Sequence, residues 1–177
     1  MFDGKVKIPK YSWLVVIVVV VTATTFLLLP RLTRDDLMLP RTLGSLEMRD
    51  EVRGDKARSI INQMHGKGVT PTDNMIGVYT SSTGTATIYL SEYDTPAQAE
   101  ETSSQMVHGI EKGTSPFSDF KTLTIHGQEV SYCVGFGQAH YFFFVDESVY
   151  WLTADFGVAE EAATELIRAI SGSFTTV

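Results

Sequence analysis

The side chains in this chain best suited to chemistry are four histidines and six methionines. Met64 directly precedes His65, and Met106 stands two positions before His108. Methionine and histidine form a soft ligand set suited to copper or haem iron. Together with His140, these residues are the candidate metal ligands of the sequence. They define one functional hypothesis, a metal- or haem-binding carrier.

The same residues also have a structural interpretation. Histidine before glycine is ordinary at helix ends and turns, where a positive charge near a helix C-terminus favours the dipole. Methionine at helical spacing is typical of a core. No two histidines stand four residues apart and no Cys-x-x-Cys-His motif occurs, which excludes covalent haem attachment. The sequence identifies no cofactor, and none is expected.

The single cysteine, Cys133, cannot form an intrachain disulfide or a zinc site with several cysteines. Its neighbours are typical of a strand, which predicts a buried structural thiol. No Gly-x-Ser-x-Gly motif is present. A catalytic triad is defined by geometry, however, so a hydrolase with a non-signature triad stays open as a further alternative. The segment 135–138 lacks the helix and lysine of a phosphate loop, and it predicts a tight turn between strands.

Tyrosines recur on the predicted strands. Tyr79, Tyr89 and Tyr93 lie there, and tyrosine combines contact area with a polar group, as protein interfaces require. These three residues are therefore the candidate partner surface. The alternative is that the first helix covers this face of the sheet.

The distribution of charge separates two regions. Residues 1–30 carry three lysines and one aspartate, whereas residues 31–177 carry 11 Lys/Arg and 20 Asp/Glu, a net charge of −9. An acidic domain repels a phosphate backbone, so no nucleic-acid partner is expected. Residues 11–30 are uncharged, and twenty helical residues span about 30 Å, the thickness of the hydrocarbon core of a bilayer. The sequence predicts a transmembrane anchor there, with the bilayer as a partner.

A cleaved signal peptide is the alternative interpretation of this segment. The apolar run continues through residues 26–29, past the small side chains at 22–24, and is longer than the usual apolar region of a signal peptide. This favours an uncleaved signal-anchor. Three lysines precede the segment and three arginines follow it closely, so the positive-inside rule barely discriminates. The basic start favours a cytoplasmic N-terminus and a domain on the extracytoplasmic side, in the periplasm or on the outer surface.

The remaining sequence predicts an α+β fold. The first helix is expected over 47–65, with a start at Asp55 as the alternative because Gly54 interrupts the pattern. Two more helices are expected, one from Thr95-Pro96 to Gly113 and one over 158–170. Alternating apolar residues predict six strands separated by short turns, hence a mostly antiparallel sheet. We expect the three helices to pack mainly on one face. The strands are expected at 74–80, 85–93, 120–126, 128–134, 138–145 and 148–154.

The predicted organisation has four parts: a cytoplasmic tail (1–10), a transmembrane anchor (11–30), a juxtamembrane linker (31–46) and a soluble α+β domain (47–177). The linker is expected to carry an apolar docking stretch at Leu37, Leu39 and Leu43. One anchor, one compact domain and no catalytic signature favour an accessory or binding domain without enzymatic activity. We expect it to associate with a membrane complex through a membrane-protein partner.

Overall fold

The computed structural model describes residues 38–65 and 71–173. The predicted tail (1–10), the predicted anchor (11–30) and residues 31–37 of the predicted linker lie outside this range. Within it, none of the helices combines the length and the hydropathy that crossing a membrane requires. The compact unit begins at Leu39, so the end of the predicted linker belongs to the domain.

The described residues form one domain with eight strands and three helices. The helices are α1 (Gly54–His65), α2 (Pro96–Glu111) and α3 (Phe156–Ser173). The strands are β1 (Thr42–Leu43), β2 (Leu46–Arg53), β3 (Asp73–Thr80), β4 (Thr85–Glu92), β5 (Ser118–Ile125), β6 (Gln128–Gly135), β7 (Gln138–Val145) and β8 (Ser148–Ala154).

All eight strands form one curled sheet in the order β1-β2-β3-β4-β8-β7-β6-β5. Every neighbouring pair is antiparallel. The α+β class and the antiparallel sheet are confirmed, and the six expected strands correspond to β3–β8. The turns after β5, β6 and β7 are so short that each following strand must pair antiparallel with the strand before it. The long-range pairing of β4 with β8 joins the two halves at the centre.

The strand β2 corrects the prediction of a helix starting at residue 47. The apolar residues Met48 and Val52 are four positions apart, a helical spacing. In the structure a bulge between Met48 and Asp50 shifts the register with β3. The bulge breaks the simple alternation of a strand, so Met48 and Val52 point to opposite faces. The helix itself begins at Gly54, close to the alternative start.

The helices cover both faces of the sheet. We call the face carrying Ile76, Phe142 and Trp151 the front, and the face carrying Ile88 and Leu152 the back. Helices α1 and α2 pack on the front, where they bury clusters around Ile76 and Phe142. Helix α3 packs on the back, against β1, β4, β7 and β8. We expected the helices mainly on one face, but only α1 and α2 share a face and α3 packs on the other.

The two faces explain the residue pattern of β7. Its segment from Ala139 to Phe143 is buried on both sides, as expected for a central strand with helices above and below. Helix α3 contributes a stripe of buried small and branched residues, including Ala162, Leu166 and Ile167. Helix α2 begins as predicted, since the Thr95 hydroxyl accepts a hydrogen bond from the Gln98 amide at 3.4 Å.

Candidate functional site

The candidate metal ligands occupy different environments. Met64 is 52% exposed on the last turn of α1, which ends at His65; the His65 side chain lies outside the described residues. His108 is exposed on α2, Met106 is half-buried on the sheet-facing side of the same helix, and His140 is buried on β7. Across residues 38–65 and 71–173, no three His, Cys, Asp or Glu side chains are grouped so that they could hold a metal ion. The carrier hypothesis stays a prediction.

His140 has a protein partner at each ring nitrogen. The Trp151 indole N–H lies 3.0 Å from Nδ1, and the Gly135 carbonyl oxygen lies 3.0 Å from Nε2. An indole nitrogen can only donate, so Nδ1 accepts and Nε2 carries the proton that goes to Gly135. Burial lowers the pKa of His140, and the bond to Gly135 opposes this shift. The imidazole is therefore neutral and holds the end of β6 in place.

An aromatic cluster surrounds this histidine. The Phe117 ring lies 4.9 Å from His140 and 5.3 Å from Trp151, and meets Phe136 edge-on at 5.7 Å between centroids. Gly135 makes this packing possible, because a Cβ there would overlap the Phe117 ring. The cluster packs against the turn between β6 and β7 through the contacts of Phe117 with Gly135 and Phe136.

The tip of that turn carries Phe136, which is 77% exposed. Its φ is 53° and that of Gly137 is 78°, the left-handed pair that a type I′ hairpin needs. Two other two-residue hairpins place His126 (φ 49°) and Asp146 (φ 50°) at the same first position. Histidine and aspartate are enriched in this region, whereas a bulky aromatic residue is an outlier there. Phe136 is thus an exposed apolar ring in an unfavourable backbone conformation.

A second exposed aromatic residue lies at the same end of the sheet. Phe156, which is 58% exposed, begins α3 directly after the end of β8. The end of β8 pairs with the start of β7, because Ala154 lies opposite Ala139. We call Phe117 and Phe136, which are in contact, the Phe136 surface.

Hydrogen bonds stiffen the strands beside this surface. Gln138 donates to the Asp155 carboxylate at 3.0 Å and accepts from the Thr153 hydroxyl at 2.7 Å. The other Asp155 oxygen accepts from the amide and hydroxyl of Thr85, at 2.8 and 3.0 Å. The bond from Gln138, then those from Thr85, lower the pKa of Asp155. The carboxylate thereby ties β4, β7 and the start of α3 together.

The three candidate tyrosines do not share an exposed face. Tyr79 is fully buried on the back, where its hydroxyl donates to the Pro40 carbonyl at 2.8 Å and burial raises its pKa. Tyr93 is buried beneath α2, and Tyr89 is half-buried against the cluster beneath α1. Register explains the difference, since Tyr79 pairs with Ala86, which points away from Tyr89.

The prediction for Cys133 is confirmed. Its thiol is fully buried opposite His140, and desolvation raises its pKa to about 12. It lies in the core cluster with Phe142 and Ile110, which is a structural environment.

Sequence reasoning placed the turn at 135–138 but missed the role of its aromatic residue. The available signal was a phenylalanine where two-residue hairpins prefer asparagine, aspartate or glycine. Its contacts with Phe117 and the support from His140 depend on tertiary structure. Comparison of the chain with protein-family models, with curated proteins and with solved structures finds no match.

Proposed function

We propose that this protein is a membrane-anchored, extracytoplasmic binding domain that serves as an accessory subunit of a membrane complex. Residues 11–30 hold it in the bilayer, and the Phe136 surface contacts a membrane-protein partner. The observation that carries the proposal is Phe136, which is 77% exposed at a φ of 53°.

The energetics of the turn support a role in binding. A left-handed conformation costs a residue other than glycine roughly 1–2 kcal/mol, and leaving an aromatic ring in water forgoes its burial. Backbone strain of this kind is concentrated at binding and switch sites. Asparagine at position 136 would avoid both the backbone strain and the exposed ring. We therefore infer that the phenylalanine contributes free energy to binding a partner.

The support beneath the ring favours the same conclusion. Phe117 contacts Phe136, and His140 holds the carbonyl of Gly135 just before it. A side chain fixed before association loses less entropy on binding. Aromatic residues on rigid supports are typical interaction hot spots, and loss of one costs about 2 kcal/mol, which is roughly thirtyfold in Kd.

The test compares two substitutions at equivalent turn positions in the full-length chain. Phe136→Asn removes the exposed ring, and His126→Asn makes the same kind of change at the turn between β5 and β6. After mild detergent extraction from native membranes, wild type and His126→Asn should recover a stoichiometric membrane protein. We expect Phe136→Asn to recover at most about a tenth as much.

Two results would overturn the proposal. One is that the wild-type chain purifies from membranes without any stoichiometric partner. The other is that Phe136→Asn and His126→Asn recover the partner equally well.

The anchor and the orientation have a separate test. Deletion of residues 11–30 should move the chain from the membrane fraction to the soluble fraction. In sealed spheroplasts, from which any outer membrane has been removed, externally added protease should reach the domain only if it lies on the extracytoplasmic side. A wild-type chain that washes off membranes with salt would exclude the anchor, and a protected domain would reverse the orientation.

A further inference from the structure

The two edges of the sheet differ in how they are protected. One edge consists of β1, only two residues long, beside β2 with its bulge and its five charged residues, Glu47, Arg49, Asp50, Glu51 and Arg53. Short strands, charges and bulges are the usual devices that prevent further strands from joining an edge. The opposite edge is β5, which has eight residues.

The second half of β5 presents an open backbone. Ile125 pairs with Gln128 across a two-residue turn, so its backbone groups point to β6. Alternation then directs the N–H and C=O groups of Thr122 and Thr124 away from β6. Both side chains are exposed, and in the part of the chain that the structure describes no strand pairs beyond β5.

The residues of this segment favour strand pairing. Thr122 to Ile125 read Thr-Leu-Thr-Ile, with three β-branched residues and neither charge nor proline. The bulge of β5 lies earlier, between Ser118 and Lys121, where Asp119 has a φ of 55°. The protective features are therefore confined to the first half of the strand.

We infer that the partner docks by adding one extended strand to the outer edge of β5. This rests on the proposed function and identifies the kind of partner segment that the domain binds. The Phe136 surface adjoins the opposite, bulged end of β5, because the strand begins one residue after Phe117. A segment that pairs with Thr122 and Thr124 therefore reaches the aromatic residues only past the bulge.

For a strand pairing centred on Leu123, charge favours a different protein over a second copy of this chain. Lys121 lies over the Tyr132 ring at 4.7 Å, and within the described residues no carboxylate forms an ion pair with it. A second copy pairing through β5 about Leu123 would set Ile125 opposite Lys121. A foreign strand can supply a carboxylate there, with aliphatic side chains beside Leu123 and Ile125.

The direct test is site-specific photo-crosslinking in native membranes. A photoreactive amino acid replaces Thr122 or Thr124 in the full-length chain, and the adducts are mapped by mass spectrometry. If the partner adds a strand, position 122 and position 124 should crosslink to the same segment of the partner. The two crosslinked partner residues should lie about two positions apart. Adducts on β5 of a second copy, adducts scattered over several segments, or none on the partner would each overturn the inference.

Two pairs of variants test the edge independently. Thr124→Pro removes the outward N–H without removing a bond to β6, and Thr124→Ser retains it. Lys121→Glu reverses the charge, and Lys121→Arg keeps it. We expect the first member of each pair to lower partner recovery by at least about tenfold and the second by less than about twofold. If Thr124→Pro does not fold, the comparison of Lys121→Glu with Lys121→Arg tests the inference.

The possible failures are distinguishable. Loss of the partner in Phe136→Asn, with full recovery in Thr124→Pro and Lys121→Glu, would overturn strand addition and leave the proposed function standing. A wild-type chain without any membrane partner would overturn the proposed function itself.

Discussion

Replacement of Phe136 by asparagine should stabilise the fold while it weakens partner binding. The change relieves a left-handed conformation that costs a bulky residue roughly 1–2 kcal/mol and creates Asn-Gly, a preferred pair for a type I′ turn. It also removes the edge contact with Phe117 at 5.7 Å, and such a pair contributes about 0.5–1.5 kcal/mol. Because the ring is 77% exposed, little other burial is lost. The balance predicts a gain of about 0.5 kcal/mol in the free energy of unfolding.

The single buried cysteine provides the assay in the full-length protein. The Cys133 thiol has no exposure and a pKa of about 12, so a thiol reagent reaches it only after opening. Labelling rates at increasing urea concentrations report the free energy of that opening. Phe136→Asn should slow the labelling by about twofold.

His126→Asn is the matched control. Histidine already tolerates the left-handed region, so the free energy of opening should change by less than about 0.5 kcal/mol. The reasoning would be refuted if Cys133 in Phe136→Asn were labelled more than about fivefold faster than in wild type. That rate corresponds to a loss of about 1 kcal/mol in the free energy of opening. The ring would then be part of the core rather than a binding element.

Three further predictions concern the support of the turn. Gly135→Ala places a methyl group in the Phe117 ring and should lower the free energy of unfolding by about 1–3 kcal/mol, measured by urea denaturation. Cys133→Ser puts a hydroxyl into an apolar cluster and should cost about 1–3 kcal/mol, seen as a lower melting temperature. Burial holds the pKa of His140 below its ordinary value of 6.5, so the folded chain binds fewer protons than the unfolded chain. The contribution of His140 to stability is complete above pH 6.5 and is lost as the pH falls through the folded pKa. The stability difference between wild type and His140→Gln should therefore narrow on acidification.

Most of the regular elements could be predicted because their signals are local. Strands β3–β8 and the helix after Thr95-Pro96 follow from alternation, capping residues and short turns. The segment 47–53 could not, since the bulge between Met48 and Asp50 breaks the alternation by which a strand is recognised. Leu39 and Leu43 belong to the predicted docking stretch of the linker, and both are buried in the domain together with Leu46. Their burial depends on contacts with residues far along the chain, which no local pattern reveals.

Some features of the candidate site could likewise be predicted from local sequence, whereas others depended on the tertiary structure. Position 136 was predicted to lie in a turn, because a glycine next to a short run between strands signals one. The exposure of the three tyrosines depended on which strands pair and in which register. The environments of the five candidate metal ligands depended on how α1, α2 and β7 pack in the domain. A shift of one position exchanges the faces of a strand, so Tyr79 and Tyr89 differ although both lie on alternating strands.

By itself the sequence determined the α+β class, the boundaries of most elements, the apolar segment at 11–30 and the net acidity of residues 31–177. These properties depend on composition and on residues within a few positions of one another. The tertiary structure alone decided that β4 pairs with β8, that His140 lies between Trp151 and Gly135, and that Phe136 stands exposed above Phe117. Those contacts join residues distant in the chain, and their free energy depends on the packing of the whole domain.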